Sequence, residues 1–507
     1  MPSPAASIVR DPAFRRQFVM GPDFSDLLPQ WRRHWVANGL ALSVHPDLPV
    51  TRVDAGARSI VLLGFVLDPR HPERDDQTIL DEVVRESHTF DEVLRAFDPL
   101  AGRWAALWLH ANGAHVFHDP AALRQVYHGR DSAGALWCGS SPSLISRVAG
   151  HAEDVVHREE MVRDGLLDPG TTHFWPGTGS SFVGIERLLP NHHLDVRTGE
   201  VRRYWPHAPI PPVDPDVATA RCASMLTGVI AAAAERYPLA LAVTAGFDSR
   251  ILLAASRPRA ERLSFYTLKK VGTSRHGGDV RVPHQMLRKV GLRHRVIPVS
   301  PTPHGQVFDT IRDTFVPCHR STASSAQALH DHPPRSEESW VTINGNVSEV
   351  TRRRNPYARL SATPPNFARA ARMSGSSLAM EQLAAWWAGA VPAVEVSGVD
   401  GWDLYYWEQP IGGWLATVRT EFDVVEEGLT PYNCRSLLTT MMGVDSSLRG
   451  GPDFPFHRGL IAHMWPELLD HPINPPVLRT RVRQTLRGKL LHRSRPGESS
   501  SVGHRVP

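Results

Sequence analysis

Between residues 217 and 343, short apolar runs alternate with longer segments of helical spacing, and this alternation constrains the chain more than any other feature. Val217 to Arg236 is alanine-rich and helical in pattern, Leu239 to Val243 is a short apolar strand, and Ser249 to Ser256 opens another helix. Leu263 to Leu268, His294 to Val299 and Trp340 to Ile343 read as further strands, with a helix over Val280 to Val290 between the first two. Strands separated by helices cannot pair as hairpins, so the pattern predicts a parallel sheet with helices on its faces. In such sheets ligands bind beyond the carboxyl ends of the strands. Residues 365 to 470, rich in Trp, Leu and Ala, read as mostly helical.

The first two hundred residues are patterned differently. Ile60 to Leu67, Trp104 to His110 and His115 to His118 are strand-like runs bounded by Gly, Asp or Pro, while Asp76 to Phe97 has helical spacing. The proline-rich Pro206 to Pro215 marks a linker. A chain of 507 residues exceeds one core, which divides it into 1–205, 216–475 and a tail, 476–507. No uninterrupted apolar run approaches the roughly 20 residues of a membrane helix. Charged residues also break the start, where a secretory signal would be apolar, so a cytoplasmic protein is expected. Four cysteines with no C-x-x-C pair argue against a zinc site or a disulfide scaffold.

The net charge of +4 is small for this length and concentrates in the tail (Arg479, Arg481, Arg483, Arg487, Lys489, Arg493 and Arg495), so it makes no case for nucleic acid. Val482, Leu486 and Leu490 give that tail a narrow apolar stripe. It reads either as a solvated helix or as one that docks to a partner or an anionic surface.

Chemistry concentrates in Leu239-Ala-Leu-Ala-Val-Thr-Ala-Gly-Phe-Asp-Ser-Arg250. A buried strand ends in Thr244, Ala245 and Gly246 and a helix opens at Asp248 or Ser249, which aims backbone N–H groups and a helix N-terminus at one spot. Thr244 and Ser249 add hydroxyl donors, and Gly246 lets the backbone approach a phosphate. Asp248 suits a bridging magnesium ion, which takes hard oxygen ligands. The segment has no Gly-Lys-Ser/Thr and is therefore not a Walker loop. An ordinary Asp/Ser helix cap after a strand would explain the same residues without a ligand.

Thr244-Ala-Gly-Phe-Asp-Ser249 resembles the pyrophosphate-binding loop, typically Ser-Gly-Gly-x-Asp-Ser, of the asparagine synthetase and β-lactam synthetase family. Further segments follow in the family's order. Leu263 to Leu268 matches the strand beside the nucleotide, and Gly278-Asp279 through Gly291-Leu292-Arg293-His294 matches the next helix and its exit. Asn344-Gly-Asn-Val-Ser-Glu349 falls where the family has Ser-Gly-x-Gly-x-Asp-Glu, one residue shorter and without the Asp-Glu pair. Pro431 to Arg435 and Phe456 to Glu467 resemble its C-terminal helices. A lysine usual there is absent, since none occurs between Lys289 and Lys489, and His457 or Arg458 would substitute. Gly102 to Ala105, His118 to Pro120, Gln125 to Tyr127, Ser140-Ser141, Phe174 to Gly177, Leu188 to His192 and Arg203 to Trp205 resemble the glutaminase half. The sequence begins Met1-Pro2-Ser3, without the family's N-terminal cysteine nucleophile, so no glutamine hydrolysis is expected.

The resemblance implies an α/β protein: an Ntn-hydrolase-like α+β sandwich, then a parallel-sheet, adenine-nucleotide α-hydrolase-like (PP-loop) domain with a helical C-terminal part. It implies an enzyme that uses ATP and Mg²⁺ to adenylate a carboxylate for attack by an amine. Thr244, Ala245, Gly246, Asp248, Ser249, Leu268, Asn344 and Gly345 would hold the nucleotide. Asp248 and Glu349 would hold the metal, and Asp248, Ser249, Glu349 and Arg458 would serve catalysis. Glu381, Glu408 and Tyr357 are candidates for the amine's base. The partners implied are small-molecule or peptide carboxylates and amines, and a homodimer is left open. A degenerate, non-catalytic member that binds nucleotide or a partner is the alternative. Sulfur transfer and ureido ligation are disfavoured, because neither paired cysteines nor a tRNA-binding module is evident.

Overall fold

A computed structural model of the chain describes residues 13–37, 39–167, 173–270, 278–315, 317–337, 339–352 and 360–475. The basic tail and Tyr357 lie outside the described residues.

The long apolar runs of the N-terminal region become Arg58–Leu67 and Ala101–His110, paired antiparallel from Ser59↔Leu109 to Leu67↔Ala101. Both are buried on both faces, which is why they read as continuous rather than alternating. They form the middle of a six-stranded sheet in the order Val201–Arg203, His192–Asp195, Gly113–His118, Ala101–His110, Arg58–Leu67, Val50–Ala55. A second six-stranded sheet runs Ile185–Arg187, Tyr127–Arg130, Leu136–Gly139, Phe18–Gly21, Leu40–Val44, Arg32–Ala37. The sheets face each other through a core that includes Leu42, Val44, Leu63, Leu107, Val116 and Leu194. The outer face of the first sheet packs Trp104 and Trp108 against Ile79, Leu80, Val93 and Phe97. The Pro142–Ala149 helix covers the second sheet. The result is an α+β sandwich. The single helical stretch expected over Asp76 to Phe97 is two helices, Asp76–Glu86 and Phe90–Phe97. Thr89 starts the second through a capping box with Glu92.

Beyond the proline-rich segment lies a five-stranded sheet in the order Arg295–Pro298, Leu263–Lys269, Leu239–Ala242, Val341–Ile343, Glu427–Leu429, parallel throughout. Alternate side chains of the central strand face opposite layers. Leu239 and Leu241 pack toward the Pro215–Arg236 and Phe247–Ala255 helices. Ala240 packs toward Phe308, Ile311, Ala323 and Val418. The fifth strand is one the sequence did not announce, because three residues with a central glycine carry no period of their own. Pro215–Arg236, 22 residues long and with an 18-residue window of mean hydropathy 1.5, has the length and composition of a membrane span although charged residues interrupt it. It is nevertheless a core helix here, with Ala218, Cys222, Leu226, Val229, Ile230 and Ala233 no more than 1% exposed.

Sandwich and parallel sheet share a core in which Phe65, Leu67, Leu123 and Leu189 join Leu239, Leu241 and Trp407. A buried charge cluster ties the same junction. Arg103, 1% exposed, grips Asp423 with Nη2 at 2.7 Å and Glu427 with Nη1 at 2.9 Å, and Arg124 reaches Glu427 at 2.8 Å. Burial works to raise the Glu427 carboxyl, but Arg124, Arg103 and Arg16 together pull it down to about 2.

Candidate functional site

The sheet's order reverses beside its central strand. From Leu239–Ala242 the chain steps outward to Leu263–Lys269 and Arg295–Pro298, then returns to the other side at Val341–Ile343. Two connections therefore leave the carboxyl ends of adjacent parallel strands next to each other, and the crevice between them is where such sheets bind ligands.

The first connection is Val243 to Gly246, which runs into the nine-residue Phe247–Ala255 helix. Ser249 folds back on the loop: its Oγ accepts the Thr244 N–H at 2.9 Å and lies 3.0 Å from Thr244 Oγ1. The Gly246 N–H donates to Thr244 Oγ1 at 3.2 Å. Thr244 is exposed, Gly246 is half-buried, and no side chain caps the helix, so its N-terminal turn opens outward. The Ala245 N–H points at the Asp279 carboxylate at 3.4 Å. Below it, Thr267 Oγ1 donates to the Val243 carbonyl at 2.6 Å and lies 2.9 Å from His294 Nε2.

Ala245 is wholly buried. Its carbonyl accepts the Asn474 N–H at 3.0 Å and the Arg250 Nη2 at 3.4 Å. Arg250 is fully buried and also bonds the carbonyls of Leu468, His471 and Pro472, which straps the 468–474 segment to the loop.

The second connection is Asn344 to Glu349. Gly345 presses on the first: a Cβ there would lie 2.7 Å from Asp248 Cβ and 2.9 Å from Ser249 N, so only glycine lets the turns meet. Asn344 serves the sheet, accepting Thr430 Oγ1 at 2.9 Å and donating to the Leu429 carbonyl. Ser348 Oγ donates to Asp248 Oδ1 at 2.5 Å, and the Tyr432 hydroxyl donates to the Asp248 carbonyl at 3.3 Å.

A cation of the chain's own lies between Asp248 and Glu349. The Arg352 guanidinium, 2% exposed, stands 2.9 Å from Asp248 Oδ2 and 3.8 Å from Glu349 Oε1. With Oδ1 on Ser348 and Oδ2 on Arg352, the pair as built does not fit a divalent ion. Among the described residues no group of three or more His, Cys, Asp or Glu is arranged to hold a metal.

The remaining sequence candidates separate. Leu268 is half-buried near the end of the neighbouring strand, on the face of Tyr266. Arg458 is exposed and forms no ion pair among the described residues, and its charge, after burial, helps lower Arg250 to about 10. His457 cannot stand in for a lysine. It is fully buried, and burial, then Arg352 and Arg449, push it down to about 3, so the ring is neutral. Glu408 is not an available base either. It is 0% exposed and accepts bonds from Asn191 at 2.9 Å, Trp386 at 2.8 Å and Arg203. Burial favours its acid form, but Arg203, His192 and these bonds win and keep it ionised. Glu381 is exposed on the Ser377–Ser397 helix.

Arg352 lies outside the segments singled out in the sequence, while Ser348, Arg250 and Tyr432 lie within them without an assigned role. The Glu349-x-x-Arg352 spacing was the only local sign of the first.

No family model and no curated protein matches the sequence. Among solved structures, the glutamine phosphoribosylpyrophosphate amidotransferase of B. subtilis complexed with ADP and GMP shares 14% identity over 65% of this chain and 75% of its own, with a TM-score of 0.24. A structure described as the allosteric regulatory enzyme of purine biosynthesis shares 14% over 61% and 72%, TM-score 0.24. The glutamine-dependent NAD⁺ synthetase of Acinetobacter baumannii in complex with ADP shares 10% over 39% and 42%, TM-score 0.20. Likeness at that level assigns no reaction or ligand, and the fold stands on this chain's own strand pairing.

Proposed function

We propose that the chain is an ATP-dependent ligase that activates a substrate carboxylate as its adenylate and passes it to an amine, without glutamine hydrolysis. One observation carries this reading: at the switch point of the parallel sheet, Ser249 folds onto the exposed Thr244 beside a helix N-terminus that no side chain caps, so the first-turn amides of that helix are left for a ligand. That arrangement suits a phosphate chain. A carboxylate oxygen attacks the α-phosphorus, the bond to the bridging oxygen breaks, and pyrophosphate leaves. An amine then displaces AMP and forms the amide. Charge building on the phosphates falls to the first-turn amides and the dipole of the Phe247–Ala255 helix, with Arg458 an exposed cation that forms no ion pair among the described residues. The exposed Glu381 is the remaining described candidate for the amine's base. The sandwich acts as scaffold: its Cys138 is 1% exposed and burial pushes the thiol up to about 12, so it supplies no thiolate.

The test is exchange of labelled pyrophosphate into ATP, driven by small-molecule and peptide carboxylates, together with amine-dependent AMP release. Thr244→Val with Ser249→Ala is expected to abolish both. A second reading, a non-catalytic nucleotide-binding protein, draws support from Arg352 seated between the two carboxylates. ATP binding without AMP release across substrate sets would establish it in place of the ligase.

A further inference from the structure

The site described above contains a cation that its sequence motifs do not call for. Arg352 closes the short Ser348–Thr351 helical turn, its N–H bonded to the Glu349 carbonyl at 3.2 Å, and its side chain turns inward rather than to solvent. A guanidinium buried to this degree must be balanced by negative charge, and Asp248 and Glu349 are the acids that flank it. Its Nε and Nη2 make no hydrogen bond of good geometry among the described residues, so the charge pairs with Asp248 while donors remain unused.

We propose that Arg352 is a built-in replacement for a divalent cation, filling the Asp248–Glu349 pair so that the loop engages a nucleotide triphosphate without a metal bound to the protein at that pair. The reading deepens the function proposed above and rests on the same loop. A guanidinium is a permanent cation with forked donors, so at any working pH it holds the position between the two acids that a metal would need. Any magnesium then arrives on the nucleotide and is not held by these carboxylates.

The experiment titrates Mn²⁺ alone, followed by electron paramagnetic resonance, into the full chain and into Arg352→Gln, with ATP binding measured by calorimetry in EDTA and in Mg²⁺. The proposal expects no stoichiometric Mn²⁺ site in the native chain and a new one in Arg352→Gln that Asp248→Asn removes. It also expects native ATP affinity to change less than about threefold on removing Mg²⁺, and that of Arg352→Gln to fall more than about tenfold, a difference of about 1.4 kcal/mol. A stoichiometric Mn²⁺ site in the native chain that is lost in Asp248→Asn overturns it, as does a folded Arg352→Gln that gains none. Arg352→Lys, which keeps a cation, should behave like the native chain, and this variant decides the matter if Arg352→Gln does not fold. Failure of the native chain to bind ATP at all would end the ligase reading, while the Mn²⁺ titration would still decide the role of Arg352.

Discussion

Gly345→Ala is the sharpest single test of how the two turns meet. The added methyl carbon would fall 2.7 Å from Asp248 Cβ and 2.9 Å from both Asp248 C and Ser249 N. Ordinary carbon–carbon contact begins near 3.5 Å, so one turn must retreat by roughly 1 Å. Two of the three obstructing atoms are backbone at the start of a helix, and no side-chain rotation relieves them. Overpacking of this kind costs about 1–3 kcal/mol. The retreat carries Asp248 and Ser249 away from Thr244, so ATP affinity should fall about tenfold or more together with stability, which is what about 1.4 kcal/mol of misplacement amounts to. Urea unfolding and calorimetric titration with ATP measure the two effects. Gly389→Ala is the matched control: it lies exposed in the Ser377–Ser397 helix with nothing within 4 Å of its would-be Cβ, and it should stabilise by about 0.5–1 kcal/mol through helix propensity alone. A Gly345→Ala protein with a native urea midpoint and native ATP affinity would refute the contact and the site built on it.

Other outcomes follow from single residues. His319, 3.0 Å from Glu421 Oε1, is drawn down by burial but held above its ordinary value by Glu421 and the His173 carbonyl. A raised folded pKa makes this contribution complete below the unfolded value near 6.5 and lost as pH rises through the folded one. The stability gap between native and His319→Gln, read by urea unfolding, should therefore be larger at pH 6 than at pH 9. Arg103→Met should destabilise by about 3–5 kcal/mol, because it leaves Asp423 and Glu427 buried with less counter-charge, whereas Arg85→Ala on an exposed pair should change urea stability by no more than about 0.5 kcal/mol. Of four free cysteines, Cys138, Cys222 and Cys434 are buried, with thiols pushed up to about 12. In the native protein at pH 8 only Cys318, half-buried and near 11, should react with a thiol reagent, and slowly, with all four reacting after denaturation.

The sequence by itself determined the elements whose signals are local. The apolar Leu239-Ala-Leu-Ala strand running into Thr244-Ala-Gly-Phe-Asp-Ser249 states both the strand and the helix start, because the side-chain period changes there and a glycine marks the join. The glycine at 345, in a turn after a strand, likewise pointed to the second connection. What tertiary structure alone decided are matters of burial and long-range charge. Arg352 opens an Arg-Arg-Arg run that would ordinarily face solvent, and only its approach to Asp248, 104 positions earlier, turns it into a site residue. Glu408 looked free until Asn191, Arg203 and Trp386 closed around it. Glu427–Leu429 became a strand because Val341–Ile343 offered an edge to pair with. Periodicity reports which face of an element is apolar. It carries no information about which distant charge that face will meet, since that depends on how the separate elements pack.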